Sequence, residues 1–244
     1  MTMDLDFTGK TVLVVGGSSG IGNGIAHGFR ARGADVHIWG TRATATDYEG
    51  SEGSDLTGLA YAKVDVGVRG EIAAAEAIAP LDVLILCQGT VQYRRAEFEP
   101  EGWDRVMAVS LDSLMDCARK FRATLSDRKG VIIIVSSISG YTSNRGNPAY
   151  AASKAGAISL TKTLGEAWAP EGIRVVGLAP GLVDTKLTKV TTEHPERLEG
   201  ALRSIPLGRM GSPADMAGAA LLLASPLAAY VVGHTLIVDG GLSL

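Results

Sequence analysis

Seven short β-branched runs alternate with longer helical patterns, and this rhythm restricts the fold more than any other feature of the chain. Thr11–Val15, Asp35–Trp39, Leu59–Val64, Asp82–Cys87, Val131–Ser136, Arg174–Leu178 and Thr235–Val238 read as strands. Most are apolar throughout, the pattern of strands covered on both faces. Helical patterns occupy Ile21–Arg32, Gly70–Ala79, Glu101–Leu125, Tyr150–Ala169 and Pro213–Ala224. This alternation predicts an α/β fold, a doubly wound parallel sheet of about seven strands joined by right-handed crossovers. Two intervals break the rhythm. Thr41–Gly58 has no apolar period and predicts a loop, and residues 182–211 also lack a strong pattern. Segments of that length in a compact domain are usually functional, and we expect a substrate lid over 182–211. A chain of 244 residues is sized for a single domain spanning 1–244.

The first strand runs directly into Gly16-Gly17-Ser18-Ser19-Gly20-Ile21-Gly22 and then into a helix. A strand–turn–helix of this kind aims unbonded N–H groups and the positive helix end at an anion, which suits a dinucleotide pyrophosphate. Glycine lets the backbone approach the phosphates with no Cβ in the way. The spacing Gly16-x-x-x-Gly20-x-Gly22 is not the G-x-G-x-x-G of many dinucleotide sites, and no Lys-Ser/Thr follows as in a P-loop. Taken alone, it favours a cofactor site over a tight turn with close helix–strand packing and no ligand, and the residues downstream decide.

Further along stand Ser136-Ser137 at the end of the fifth strand, then Tyr150 and Lys154. Four residues apart, Tyr150 and Lys154 share one helix face. A phenol with a pKa of about 10 is a poor acid or base at neutral pH, but a nearby ammonium stabilises the phenolate and makes proton exchange feasible. Ser137 is placed to hydrogen-bond the same substrate oxygen.

Together these residues resemble the short-chain dehydrogenase/reductase family, in its 3-oxoacyl-(acyl carrier protein) reductase-like pattern, over nearly the whole chain. The matching positions are Gly16, Gly20 and Gly22, then Asp65-Val66 after the third strand and Gly89 after the fourth. They continue with Ser137, Tyr150 and Lys154, Pro180-Gly181 with Thr185, and the ending Gly233-His-Thr-Leu-Ile-Val-Asp239-Gly240-Gly241. The resemblance implies a Rossmann-type domain that binds a nicotinamide dinucleotide and transfers hydride between it and a carbonyl or secondary alcohol. It makes Tyr150 the general acid or base and gives Ser137 the task of orienting the substrate oxygen. Lys154 lowers the tyrosine pKa and holds the nicotinamide ribose. Cofactor contacts are implied from Gly16, Ser18, Ser19, Gly20, Ile21, Gly22, Asp65, Val66, Gly89, Pro180, Gly181, Val183 and Thr185. Relatives pair through the helices corresponding to Glu101–Leu125 and Tyr150–Ala169, which implies a homo-oligomer, tetramer or dimer. The alternative is a catalytically silent, dinucleotide-sensing relative, but such proteins usually lose the Tyr or Lys that this chain keeps.

The chain departs from the family's pattern at identifiable points. Val15 stands where the family has Thr, and Leu86-Cys87-Gln88-Gly89 where it has Asn-Asn-Ala-Gly. These segments lie side by side in the family, so a polar contact is expected to have been exchanged for packing. Ser110 stands where the family has an Asn that holds a water linking the lysine to solvent, which implies an altered relay through a shorter side chain. After the second strand the chain reads Gly40-Thr41-Arg42, with no carboxylate before Asp47. An acidic residue there favours NAD, whereas Arg42 can grip a 2′-phosphate and Thr41 can donate to it. NADP is therefore the expected cofactor, with NAD the alternative.

The net charge of −3 argues against a nucleic-acid or anionic-membrane partner. Cys87 and Cys117 have no metal-ligand spacing, and no metal is expected. Two lone thiols, no secretory signal at Met1–Lys10 and no apolar run of membrane-spanning length make a cytoplasmic protein with a small-molecule substrate the expectation. The substrate itself is not legible. Arg94-Arg95 suit either an anionic group or plain solvation.

Overall fold

The computed structural model describes residues 5–244. Seven strands form one sheet: β1 (Thr11–Val15), β2 (Asp35–Gly40), β3 (Ala60–Lys63), β4 (Val83–Leu86), β5 (Val131–Val135), β6 (Arg174–Pro180) and β7 (Thr235–Val238). Their order is β3-β2-β1-β4-β5-β6-β7, and every pairing is parallel. The order reverses between β1 and β4, and a doubly wound sheet opens its ligand crevice outside the carboxyl ends at such a point.

Apolar strands are required because helices cover both faces. On one side Val12 and Val14 of β1 pack with Ile25 and Phe29 of α1 (Gly20–Arg30) and with Met216 and Leu221 of α8 (Pro213–Ala224). On the other, Leu13 and Val15 pack with Leu114 and Phe121 of α4 (Ser113–Arg128) and with Trp168 of α5 (Pro148–Trp168). Successive side chains on a strand point to opposite faces, so one five-residue run feeds two cores. Burying each such side chain contributes roughly 1.5–3 kcal/mol.

Strand β3 is the exception, with Ala60, Ala62 and Lys63 exposed at the sheet edge. The crossover before it carries only a short 3-10 turn, Ala45–Tyr48, so no helix covers that edge. Instead Tyr48 packs edge-on against Tyr61 at 5.7 Å, and its hydroxyl accepts from the N–H groups of Thr41 and Arg42, each at 3.2 Å.

Several elements differ from their expected extents. The helix expected over 70–79 is cut to α2 (Arg69–Ala74), and Lys120 of α4 donates to the carbonyls of Ala73 and Ala75 at its end. The long helix expected over 101–125 is α3 (Pro100–Met107), a π-helical turn over Ala108–Asp112, and α4. Residues 182–211 hold two unexpected helices, α6 (Lys189–Thr192) and α7 (Pro195–Ser204). This excursion is closed at its neck, where Asp184 N–H donates to Gly211 O and Gly211 N–H to Leu182 O, each at 2.9 Å.

Candidate active site

The carboxyl ends of β1, β4, β5 and β6 converge on a cavity of about 470 Å³. The glycine turn forms its floor. Gly16 has a φ of +78°, and a Cβ there would lie 2.9 Å from Gln88 N; one on Gly22 would lie 2.2 Å from Gly16 O. The turn therefore admits no other residue at either place and fits tightly against the segment after β4. Among the described residues, the N–H groups of Ser18, Ser19, Ile21 and Gly22 bond no acceptor of the chain, while that of Gly20 donates to Gly53 O at 2.9 Å. Four unbonded donors at the positive end of α1, all from residues on the cavity wall, fit a dinucleotide pyrophosphate.

Ser137, Tyr150 and Lys154 reach the same cavity from different elements. Ser137 ends the run after β5, and its hydroxyl accepts from Ser139 N–H at 3.1 Å. Tyr150 is the third residue of α5, and Lys154 follows one turn later. The Lys154 ammonium donates to Val135 O at 2.9 Å and lies 5.6 Å from the Tyr150 ring centre. Burial draws the Lys154 pKa down to about 8, with the Cys87 thiol opposing the shift. Burial also raises the Tyr150 pKa above the usual phenol value, with the Ser137 hydroxyl pulling the other way. In the protein alone desolvation thus sets the direction, opposite to the lowering expected from the lysine.

The other expected cofactor positions divide. Thr41, Asp65, Val66, Gly89, Pro180, Gly181, Val183 and Thr185 line the cavity together with the glycine turn. Arg42 does not. Its guanidinium is held by the Asp47 carbonyl and by Ser51 Oγ at 3.0 Å, and lies 4.5 Å from the Tyr48 ring centre. The missing crossover helix accounts for this, since the loop folds back on itself and takes the arginine with it. Ser110 is fully buried in the π-helical turn, where its hydroxyl accepts from Thr90 N–H at 3.1 Å. It fixes the turn after Gly89 and does not line the cavity wall. Arg94 and Arg95 are exposed and also off the wall. Val15 and Leu86 are register partners, each with no exposed surface, so packing does occupy the place of the polar contact.

The cavity also has wall residues that the sequence did not single out for it: Thr90, Arg105, Lys186, Leu187 and Thr188. Arg105 pairs with Asp65 at 3.7 Å. Lys186 makes no ion pair among the described residues and bonds Ser54 Oγ at 3.2 Å. Next to it, Lys189 of α6 pairs with Glu52 at 2.5 Å, and Tyr93 Oη donates to Leu187 O at 3.0 Å. The segment over the cavity is thus clasped by the loops after β2 and β4. No sequence signal marked these contacts, because the partners lie more than ninety residues apart in the chain.

A phosphate-binding turn beside a Ser–Tyr–Lys constellation defines the class: an NAD(P)-dependent oxidoreductase that interconverts a carbonyl and an alcohol by hydride transfer. The chain belongs to the short-chain dehydrogenase/reductase family, for a family model described as enoyl-(acyl carrier protein) reductase matches residues 15–243. It is 38% identical to the 3-oxoacyl-[acyl-carrier-protein] reductase FabG of Chlamydia pneumoniae over 253 residues, 99% of this chain and 100% of that protein. It is 39% identical to the galactitol 2-dehydrogenase (L-tagatose-forming) of Cereibacter sphaeroides, over 96% of this chain and 94% of that one. A gluconate 5-dehydrogenase from Burkholderia cenocepacia J2315, solved in complex with NADP and tartrate, has a similar structure with a TM-score of 0.88. That match is 29% identical and covers 99% of this chain and 98% of that one.

Proposed function

We propose that the chain is an NADP(H)-dependent reductase or dehydrogenase in which Tyr150 exchanges the proton with the substrate oxygen. The observation that carries this reading is the meeting of Ser137, Tyr150 and Lys154 on the wall that also holds the glycine turn. Bound there, the dinucleotide supplies or accepts the hydride. Ser137 holds the reacting oxygen, Tyr150 donates to it or accepts from it, and Lys154, carrying its charge below pH 8, favours the phenolate. Residues 182–211 act as the lid under which the substrate enters, close to Leu187 and Thr90. The presence of all three chemical groups on one wall supports a small-molecule enzyme rather than a silent sensor, and a cytoplasmic location goes with this reading.

NADP is favoured over NAD because the wall at the end of β2 is made of Gly40, Thr41 and Ser18, and Asp65 is the one carboxylate among the lining residues. Such a wall leaves a 2′-phosphate unopposed, and Lys186 adds to the lining a cation that makes no ion pair among the described residues. Solved relatives with bound NADP support the same choice. Fluorescence titration with NADPH and NADH at equal concentrations tests it. We expect NADPH to bind at least about tenfold more tightly, roughly 1.4 kcal/mol; equal or tighter binding of NADH overturns the preference.

Assembly as a homo-oligomer, tetramer or dimer, goes with this reading. The exposed face of α5 carries Ala152, Ala155 and Ser159, small enough for close helix approach.

A further inference from the structure

Glu97 is a buried carboxylate with no cation to neutralise it. It has no exposed surface, whereas the other well-buried carboxylates, Asp82 and Asp116, each pair with two basic side chains. Among the described residues Glu97 makes no ion pair, and three N–H donors hold it instead. Its Oε1 accepts from Gln92 N–H at 3.0 Å and from Asn147 Nδ2 at 2.8 Å. Its Oε2 accepts from the backbone N–H of Tyr150 at 2.9 Å.

That last bond is the one a helix cap makes. Tyr150 is the third residue of α5, and Asn147, at the cap position, makes no side-chain cap bond of its own. Its amide goes instead to Glu97 and to Gln92 O, the latter at 3.2 Å. The first turn of α5 holds no acidic residue, so Glu97 is the negative charge at its positive end. The chain tolerates strain to put it there. Arg94 and Arg95, directly upstream, both adopt left-handed backbone, with φ of 56° and 63°. For residues with a Cβ this conformation is unfavourable and persists only where the surroundings enforce it. The double-arginine motif therefore shapes a turn that points Glu97 inward.

We propose that Glu97 is a positioning residue for Tyr150: it caps the catalytic helix from outside and sets the charge that the phenol meets. This rests on the reading of Tyr150 as the acid or base. The groups facing the phenol are Lys154 from α5, Ser137 after β5, Cys87 after β4, and Tyr93 and Glu97 from the loop before α3. Of these, Glu97 is a carboxylate that opposes the phenolate, adding to the burial that holds the tyrosine protonated as a donor.

The test is a titration of 13Cζ-labelled tyrosine by NMR with NADP present, the Tyr150 resonance being assigned by its loss in Tyr150→Phe. In Glu97→Gln the Tyr150 pKa falls by about half a unit or more, because an opposing charge is gone. Glu97→Asp, which keeps the charge, stays within about 0.3 unit of wild type. Amide exchange over Ala149–Ser153 speeds in Glu97→Gln, while NADPH affinity changes by no more than about twofold. Should Glu97→Gln not fold, Asn147→Ala removes one donor from the carboxylate at a half-buried position, and the same first-turn amides exchange faster. An unchanged Tyr150 titration in Glu97→Gln, or unchanged first-turn exchange in Asn147→Ala, overturns the proposal. Turnover retained by Tyr150→Phe defeats instead the reading on which it rests.

Discussion

Lys154 is held in a place that costs the ligand-free protein stability. Burial lowers its pKa from 10.5 to about 8, so below pH 8 the folded state carries a desolvated charge. Between pH 8 and 10.5 the unfolded chain binds more protons than the folded one, and stability rises with pH across that window. Lys154→Met removes the penalty and loses the bond to Val135 O, leaving a net gain on the order of 1–2 kcal/mol at neutral pH. We expect Lys154→Met to melt several degrees higher than wild type at pH 7, with the difference narrowing towards pH 10.5, while turnover collapses. Thermal melts across that range check this; a less stable variant at pH 7 contradicts it. At this scale the sequence was informative where chemistry demands a particular side chain, as at Ser137, Tyr150 and Lys154. It did not show that the Arg42 guanidinium bonds the Asp47 carbonyl and Ser51 Oγ, and it gave no hint of the buried Glu97.

Elements were legible in proportion to their periodicity. The apolar strands and α8 sit where the pattern put them, because a strand buried on both faces leaves little alternative. Residues 182–211, the proposed lid, were opaque: neither α6 nor α7 buries a side chain fully, and Lys189 of α6 pairs with the remote Glu52. Its clasp is electrostatic and testable. Reversing the charge in Lys189→Glu sets two carboxylates against each other at the Glu52 contact, and we expect NADPH to dissociate about two- to fivefold faster. The double variant Glu52→Lys/Lys189→Glu restores the pair and the slower release. Stopped-flow fluorescence measures both rates; identical rates in all three proteins remove the clasp from cofactor retention.

The whole molecule was readable as a fold from the β-α rhythm alone, and as a cofactor binder from the turn after β1 taken together with the residues downstream. Its chemistry was legible at Ser137, Tyr150 and Lys154, but the meeting of those residues needed the three-dimensional arrangement. Ser137 and Tyr150 come from different sides of the β5–α5 connection, and only the parallel sheet brings both to the edge where the glycine turn lies. Substrate identity stayed hidden because residues 182–211, the proposed lid, carried no pattern. The account's central claim is that this convergence performs proton-coupled hydride transfer through Tyr150. The most direct measurement follows oxidation of NADPH by wild type and Tyr150→Phe with a 3-oxoacyl thioester and a keto-sugar acid, alongside NADPH affinity. The account predicts turnover of at least one carbonyl by wild type, a loss of about a thousandfold or more in Tyr150→Phe, and an unchanged cofactor affinity. Retained turnover in Tyr150→Phe contradicts it.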